Sequence, residues 1–169
     1  MNWFHKKPFL YISSIQTGFM EIPNQISMNV YVSGCMKRCH NCHNPSLWQF
    51  NSSNILDENN LDNFFKKHNM AKWICFLGGD AIYQPKGLEK ISELSKKLKK
   101  NVCLYTGVYF SQLSGVNISN IDLVIDGPYE EQKGTVDLPT TNQHCYVNEN
   151  GIWRAILFEN LKEYKWDTK

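Results

Sequence analysis

The sequence predicts an α/β fold, a small partial (open) β/α barrel with a largely parallel sheet, on three observations. Apolar, strand-like runs alternate with segments of helical periodicity, the pattern of successive βα units. Each glycine- or acid-bearing segment follows the C-terminal end of a predicted strand, where open sheets and barrels both place ligands. The chain has 169 residues, too few for a closed eight-unit barrel of about 250 residues. No repeat, low-complexity stretch or linker divides it, so a single domain is expected over residues 1–169.

The elements follow in order. MNVYVSG, residues 28–34, is apolar and β-branched and reads as the first strand. Residues 57–68, DENNLDNFFKKH, bring Leu61, Phe64, Phe65 and His68 to one helical face, with acids early and lysines late. WICFL, residues 73–77, is a short buried strand ended by Gly78 and Gly79. Leu88, Ile91, Leu94 and Leu98 recur at helical spacing, and Pro85 suits the first turn of that helix. VCLYT, residues 102–106, is a strand followed by a short helix in VYFSQL, and IDLVIDG, residues 121–127, is a further strand. The polar stretch 130–143 is expected as a loop over the site or a surface excursion. HCYV is read as an edge strand, NENG as a turn and FENLKEY as a terminal helix.

Composition narrows the function class. Apolar residues make up 42% and charged residues 20%, and the net charge of +2 gives no electrostatic footprint for nucleic acid. The run KKLKK, residues 96–100, suits the solvated C-terminal end of a helix. No stretch is apolar enough to span a membrane, and the first ten residues lack the apolar core of a secretion signal. A cytoplasmic location is expected, and there clustered cysteines serve as metal or cluster ligands more often than as disulfides.

Six cysteines divide into two kinds. Cys75, Cys103 and Cys145 stand apart among apolar neighbours, as small buried hydrophobes do. Cys35, Cys39 and Cys42 fall within the eight residues CMKRCHNC. A structural zinc site closes with four protein ligands, which His40 or His43 would complete here, and a protein-ligated cluster commonly takes four thiolates, one of which a distant cysteine would supply. The remaining alternative is a [4Fe–4S] cluster with one iron left open to an exogenous ligand. Gly78 and Gly79 permit close backbone approach to such a ligand, and Asp80 is placed to accept from an ammonium group.

The spacing CxxxCxxC resembles the signature of radical S-adenosylmethionine enzymes. GCMKRCHNCHNPSLW, residues 34–48, is similar to the cluster loop of the activating proteins of anaerobic ribonucleoside-triphosphate reductase, in which the usual aromatic residue before the third cysteine is replaced, here by Asn41. FLGGD, LYTG and IDLVIDGPY follow in the same order as that family's motifs, and TTNQ resembles its Ser-Asn-Gln element. The chain departs from the pattern in several places, and LPTTNQ lacks the basic residue expected before the Ser-Asn-Gln element. TGFMEIPNQIS stands where the family has Asn-Gly-Pro-Gly-x-Arg, Ala81 follows the acid, and His144 stands where Arg is common.

The resemblance implies a partial barrel of the radical S-adenosylmethionine type and an activase that generates a glycyl radical. It implies that Cys35, Cys39 and Cys42 hold a [4Fe–4S] cluster whose open iron binds S-adenosylmethionine, and that Gly78, Gly79, Asp80, Thr106 and Asp126 form the cofactor site. The implied partners are the large subunit of anaerobic ribonucleotide reductase and a flavodoxin or ferredoxin-like electron donor. A radical S-adenosylmethionine enzyme that modifies a different peptide or small molecule, and a metal-stabilised adaptor, are the rival readings.

Overall fold

The computed structural model describes residues 9–50 and 54–166; residues 1–8, part of the stretch read for a secretion signal, lie outside them. Its frame is one eight-stranded sheet in the order β3-β1-β2-β4-β5-β6-β7-β8. The strands are β1 (Leu10–Gly18), β2 (Ser27–Val32), β3 (Asn54–Leu56), β4 (Trp73–Gly78), β5 (Asn101–Tyr105), β6 (Leu123–Asp126), β7 (His144–Glu149) and β8 (Ile152–Ile156). Two helices, α1 (Leu61–Lys67) and α2 (Pro85–Lys97), lie in the crossovers before β4 and β5.

The sheet is open, and only its centre is parallel. β2, β4, β5 and β6 run side by side in parallel. Antiparallel pairs flank them, β3-β1-β2 on one side and β6-β7-β8 on the other. The expected largely parallel sheet is thus corrected to a mixed one. Connection length sets only part of this: β8 returns from β7 by a two-residue turn, which permits only an antiparallel pair, whereas β6 reaches β7 through residues 127–143, a length that permits either direction. HCYV is likewise not an edge. It forms β7, which β8 covers through a turn at Asn150 and Gly151, both at positive φ.

The helices are shorter than their sequence patterns. Asp57 accepts from the backbone N–H groups of Asn59 and Asn60 at 2.9 and 3.2 Å, so residues 57–60 form a turn and α1 starts at Leu61. VYFSQL shortens to a 3₁₀ turn at Phe110–Gln112, and FENLKEY to one at Phe158–Lys162. Leu98 caps α2 and is exposed, while Leu88 and Ile91 are fully buried.

Both faces of the central strands are covered, which explains their nearly continuous apolar sequences. Ile74, Phe76, Val102, Leu104 and Val124 join the larger core with Leu88 and Ile91 of α2. The alternate residues Trp73, Cys75, Cys103, Leu123 and Ile125 face a second cluster with Ile22, Cys145 and Leu161. The three dispersed cysteines are therefore buried in this second layer. Among the described residues no helix is long and apolar enough to cross a membrane.

Candidate iron–sulfur and cofactor site

The four parallel strands end on one side of the sheet, and their C-terminal continuations build the site. β2 leads into Gly34 and the cysteine loop, β4 into Gly79 and Asp80, β5 into Thr106 and Gly107, and β6 into Gly127 and Tyr129. A cavity of about 880 Å³ opens there, lined by Cys35, Cys39, Cys42, Gly78, Gly79 and Asp80 among others. It falls within the range of about 300–1,000 Å³ typical of small-ligand sites.

The cysteine loop is fixed at both ends. Gly34 N–H donates to the Leu47 carbonyl at 2.8 Å and Cys35 N–H to that of Trp48 at 3.1 Å. Ser33 Oγ donates to the Gln49 carbonyl at 2.8 Å, and Gln84 Nε2 to the Ser33 carbonyl at 2.9 Å. Between these anchors Arg38 and Asn41 take positive φ, at 49° and 54°, so the chain turns tightly around its sulfurs. Asn44 N–H donates to Cys42 Sγ at 3.4 Å. Burial pushes the Cys35 thiol up in pKa, partly offset by the backbone N–H groups of Lys37 and Arg38.

This donor set fits an iron–sulfur cluster. All three thiols are free and half-buried, on one cavity wall, and backbone amides face two of the sulfurs; such donors stabilise thiolate and cluster sulfur. Among the described residues no three His, Cys, Asp or Glu side chains are gathered closely enough to share one ion. A single zinc needs all its ligands within about 2.3 Å of one point, whereas thiolates on a cube of irons each take a different corner.

The glycine-acid turn is built against the start of the cysteine loop. Gly79 N–H donates to the Val32 carbonyl at 2.8 Å and Asp80 N–H to the Gly34 carbonyl at 3.0 Å. Gly78 has φ of +92°, and a Cβ on Gly79 would lie 2.5 Å from the Val32 oxygen and 2.8 Å from that of Gly34. Both neighbours are backbone atoms that cannot swing aside. Gly79→Ala is expected to cost about 1–3 kcal/mol of stability, in line with overpacking of a filled site, and to loosen cluster retention. Thermal melts and iron content of the variant check this.

Asp80 is only 2% exposed. Its Oδ2 accepts from Thr106 Oγ1 and Gly107 N–H, both at 2.9 Å, and Oδ1 from Ile82 N–H at 3.3 Å. Burial raises its pKa from 3.8 to about 6, against the lowering effect of those donors and of Lys37. Oδ2 is saturated, while Oδ1 keeps capacity for a further donor. Thr106 lines the cavity, and its hydroxyl serves to orient Asp80.

Asp126, expected at the cofactor, is turned elsewhere. It is 1% exposed. Its Oδ2 accepts from Phe110 N–H at 2.6 Å, while Oδ1 accepts from His144 N–H at 3.1 Å and lies 3.0 Å from His144 Nδ1. Both oxygens are thus spent on tying the β5–β6 connection to the start of β7. Asn142 similarly donates from Nδ2 to the Pro128 carbonyl at 2.8 Å, while Gln143 lines the cavity. His43 lies against Tyr129, with ring centroids 4.3 Å apart.

Two cavity walls escaped the sequence reading. One is the β1–β2 connection, where Phe19, Met20 and Glu21 line the cavity; the other is the C-terminal turn with Phe158 and Lys162. Asn24 Nδ2 joins them by donating to the Lys162 carbonyl at 3.1 Å. The only sequence signal was that TGFMEIPNQIS departs from the related pattern. The loop 130–143 supplies Thr135, Val136 and Asp137 to the same cavity, and Asn41 Nδ2 donates to Glu131, tying the cysteine loop to this segment.

Comparison with known proteins agrees with this chemistry. Relatives that carry the name anaerobic ribonucleoside-triphosphate reductase-activating protein include three from different sources. That of Enterobacteria phage T4 is 27% identical over 135 residues, covering 74% of this chain and 86% of its own. That of Haemophilus influenzae is 24% identical over 148 residues, covering 80% and 86%. The Escherichia coli K12 protein is 23% identical over 112 residues, covering 59% and 72%. The 4Fe-4S single cluster domain family matches residues 25–146, from the approach to β2 through the first half of β7. By that match the chain belongs to the 4Fe-4S single cluster domain family.

Proposed function

We propose that the protein is a radical S-adenosylmethionine activase that installs a glycyl radical on an anaerobic ribonucleotide reductase, using an open β/α-barrel domain of that type. The observation that carries this reading is the adjacency of the three-thiol loop and the Gly-Gly-Asp turn in one cavity. The names of the related proteins supply the target.

Cys35, Cys39 and Cys42 hold the [4Fe–4S] cluster and leave its fourth iron to the cofactor. When bound, the cluster and S-adenosylmethionine together would supply one-electron reductive chemistry able to take a hydrogen atom from a partner glycine. The chain's own residues bind, orient and shield. Gly78 and Gly79 admit the methionyl end of the cofactor to the backbone, and Asp80 Oδ1 accepts from its ammonium. Thr106 and Gly107 hold the Asp80 carboxylate in register. Leu77, Val136 and Phe158 give the cavity apolar walls that exclude water from the reacting centre. Asp126 acts at one remove, through the segments it joins. A flavodoxin or ferredoxin-like protein of the cytoplasm supplies the electron.

The partner completes the site from outside. Met36 lies between two cavity-lining residues and is 66% exposed, so it faces the partner. Met36→Ala is expected to raise the apparent KM for the reductase by roughly five- to tenfold, the size of a moderate interface contact, with iron content unchanged. Steady-state activation assays at varied reductase concentration check this.

The deciding experiment is anaerobic incubation of the reconstituted, reduced protein with S-adenosylmethionine and the candidate reductase. A glycyl doublet in the electron paramagnetic resonance spectrum is the expected result. Cofactor cleavage without the doublet would reject this reductase as target, and absence of cleavage would reject the radical chemistry.

A further inference from the structure

Trp48 ends the 3₁₀ turn Pro45–Trp48 that closes the cysteine loop. Its carbonyl accepts from Cys35 N–H at 3.1 Å, so its backbone is fixed beside the first cysteine. The residue lines the cavity, yet its indole Nε1–H is shielded from solvent and finds no acceptor among the described residues. Leaving such a donor unsatisfied costs about 1–3 kcal/mol. One other buried indole N–H also lacks an acceptor, that of Trp166, but it belongs to the C-terminal cover and not to this cavity.

The backbone carbonyls at this end of the loop each accept a hydrogen bond from elsewhere in the chain, and none accepts from the indole. The Leu47 and Trp48 carbonyls take Gly34 and Cys35, the Gln49 carbonyl takes Ser33, and the Asn44 carbonyl takes Leu47 N–H at 3.0 Å. Loading the site adds acceptors to this cavity, and those carried by the cysteine loop that Trp48 closes are the thiolate and sulfide sulfurs of the cluster. We infer that the Trp48 indole N–H is a positioning and tuning group that donates a hydrogen bond to a sulfur of the loaded cluster. This rests on Cys35, Cys39 and Cys42 as the cluster ligands.

The consequence is electronic. A hydrogen bond to cluster sulfur withdraws charge, stabilises the reduced state and raises the reduction potential. Trp48 would thus set how strongly reducing the cluster is, without touching the cofactor. A residue that only packs the loop would leave the potential where it is.

The test compares wild type with Trp48→Phe, which keeps an aromatic ring and removes the donor, after anaerobic reconstitution of both. Mediated redox titration followed by electron paramagnetic resonance should show the variant's midpoint shifted to more negative potential at equal iron content. An unchanged midpoint overturns the inference. Should the variant not retain iron, the wild type decides alone. With tryptophan labelled by nitrogen-15 in the indole ring, hyperfine spectroscopy of the reduced cluster should show a nitrogen-15 coupling, and its absence overturns the inference equally. A wild type that assembles no four-iron cluster would instead remove the ligand assignment beneath it, an outcome read from iron and sulfide content before any titration.

Discussion

Cys39→Ala is expected to remove the cluster, leaving iron and sulfide near zero and no detectable cleavage of S-adenosylmethionine. Cys39 lies in the middle of the loop, between Cys35, fixed through Trp48, and Cys42, whose N–H donates to the Cys39 carbonyl at 3.3 Å. The three remaining cysteines do not stand ready as substitutes. Cys75, Cys103 and Cys145 are buried in the second apolar layer and do not line the cavity. Burial also raises the pKa of Cys103, and it pushes that of Cys145 up to about 12, so neither offers a thiolate at neutral pH. Each of the three changed to alanine should keep a full complement of iron, at a stability cost of about 1 kcal/mol. Iron and sulfide analysis checks all four variants, and loss of iron from any of the last three would reveal a fourth protein ligand.

Asp80→Asn carries the second large effect. Above its pKa of about 6, Asp80 is an ionised acceptor for the cofactor's ammonium. Replacing it removes a charged hydrogen bond worth about 1.5–3 kcal/mol, so affinity for S-adenosylmethionine should fall roughly ten- to hundredfold while the cluster stays. In the wild type, affinity should weaken about tenfold per pH unit below 6, because a cation then has to expel a proton. The Asn variant should lack that dependence. Binding titrations on the loaded protein across this range provide the check. The sign for folding is opposite. The pKa is raised above its unfolded value of 3.8, so the folded state holds the extra proton between the two values. The ligand-free protein should lose stability, on the order of 3 kcal/mol, as pH rises through that window.

The centre of the fold was legible because its strands are buried on both faces. WICFL, VCLYT and LVID read as strands from composition alone, and the helical spacing of Leu88 and Ile91 marked α2. β1 was not legible. Its sequence LYISSIQTG interrupts the apolar pattern with two serines, and a register shift between Ile12 and Ser14 breaks the alternation. β8 is mostly exposed, so it carries little apolar signal. The antiparallel flanks that these strands form are therefore what the sequence reading lacked.

The candidate site was legible where chemistry and turn geometry coincide, in the cysteine loop and at Gly78-Gly79-Asp80. Asp126 shows the opposite case. An acid after a strand suits a ligand contact and a backbone tie equally well, and only the approach of His144, eighteen residues on, distinguishes them. The wall formed by Phe19, Met20 and Phe158 joins segments from opposite ends of the chain, a proximity no local pattern encodes.

The backbone bonds from Gly79 to Val32 and from Asp80 to Gly34 have a mechanical consequence. They extend the sheet ladder past the last residue of β2, so the sulfur-bearing turn and the carboxylate ride on a common rigid support. Thermal breathing of the molecule would displace the two together, so a cofactor held by the carboxylate would keep its distance from the sulfurs.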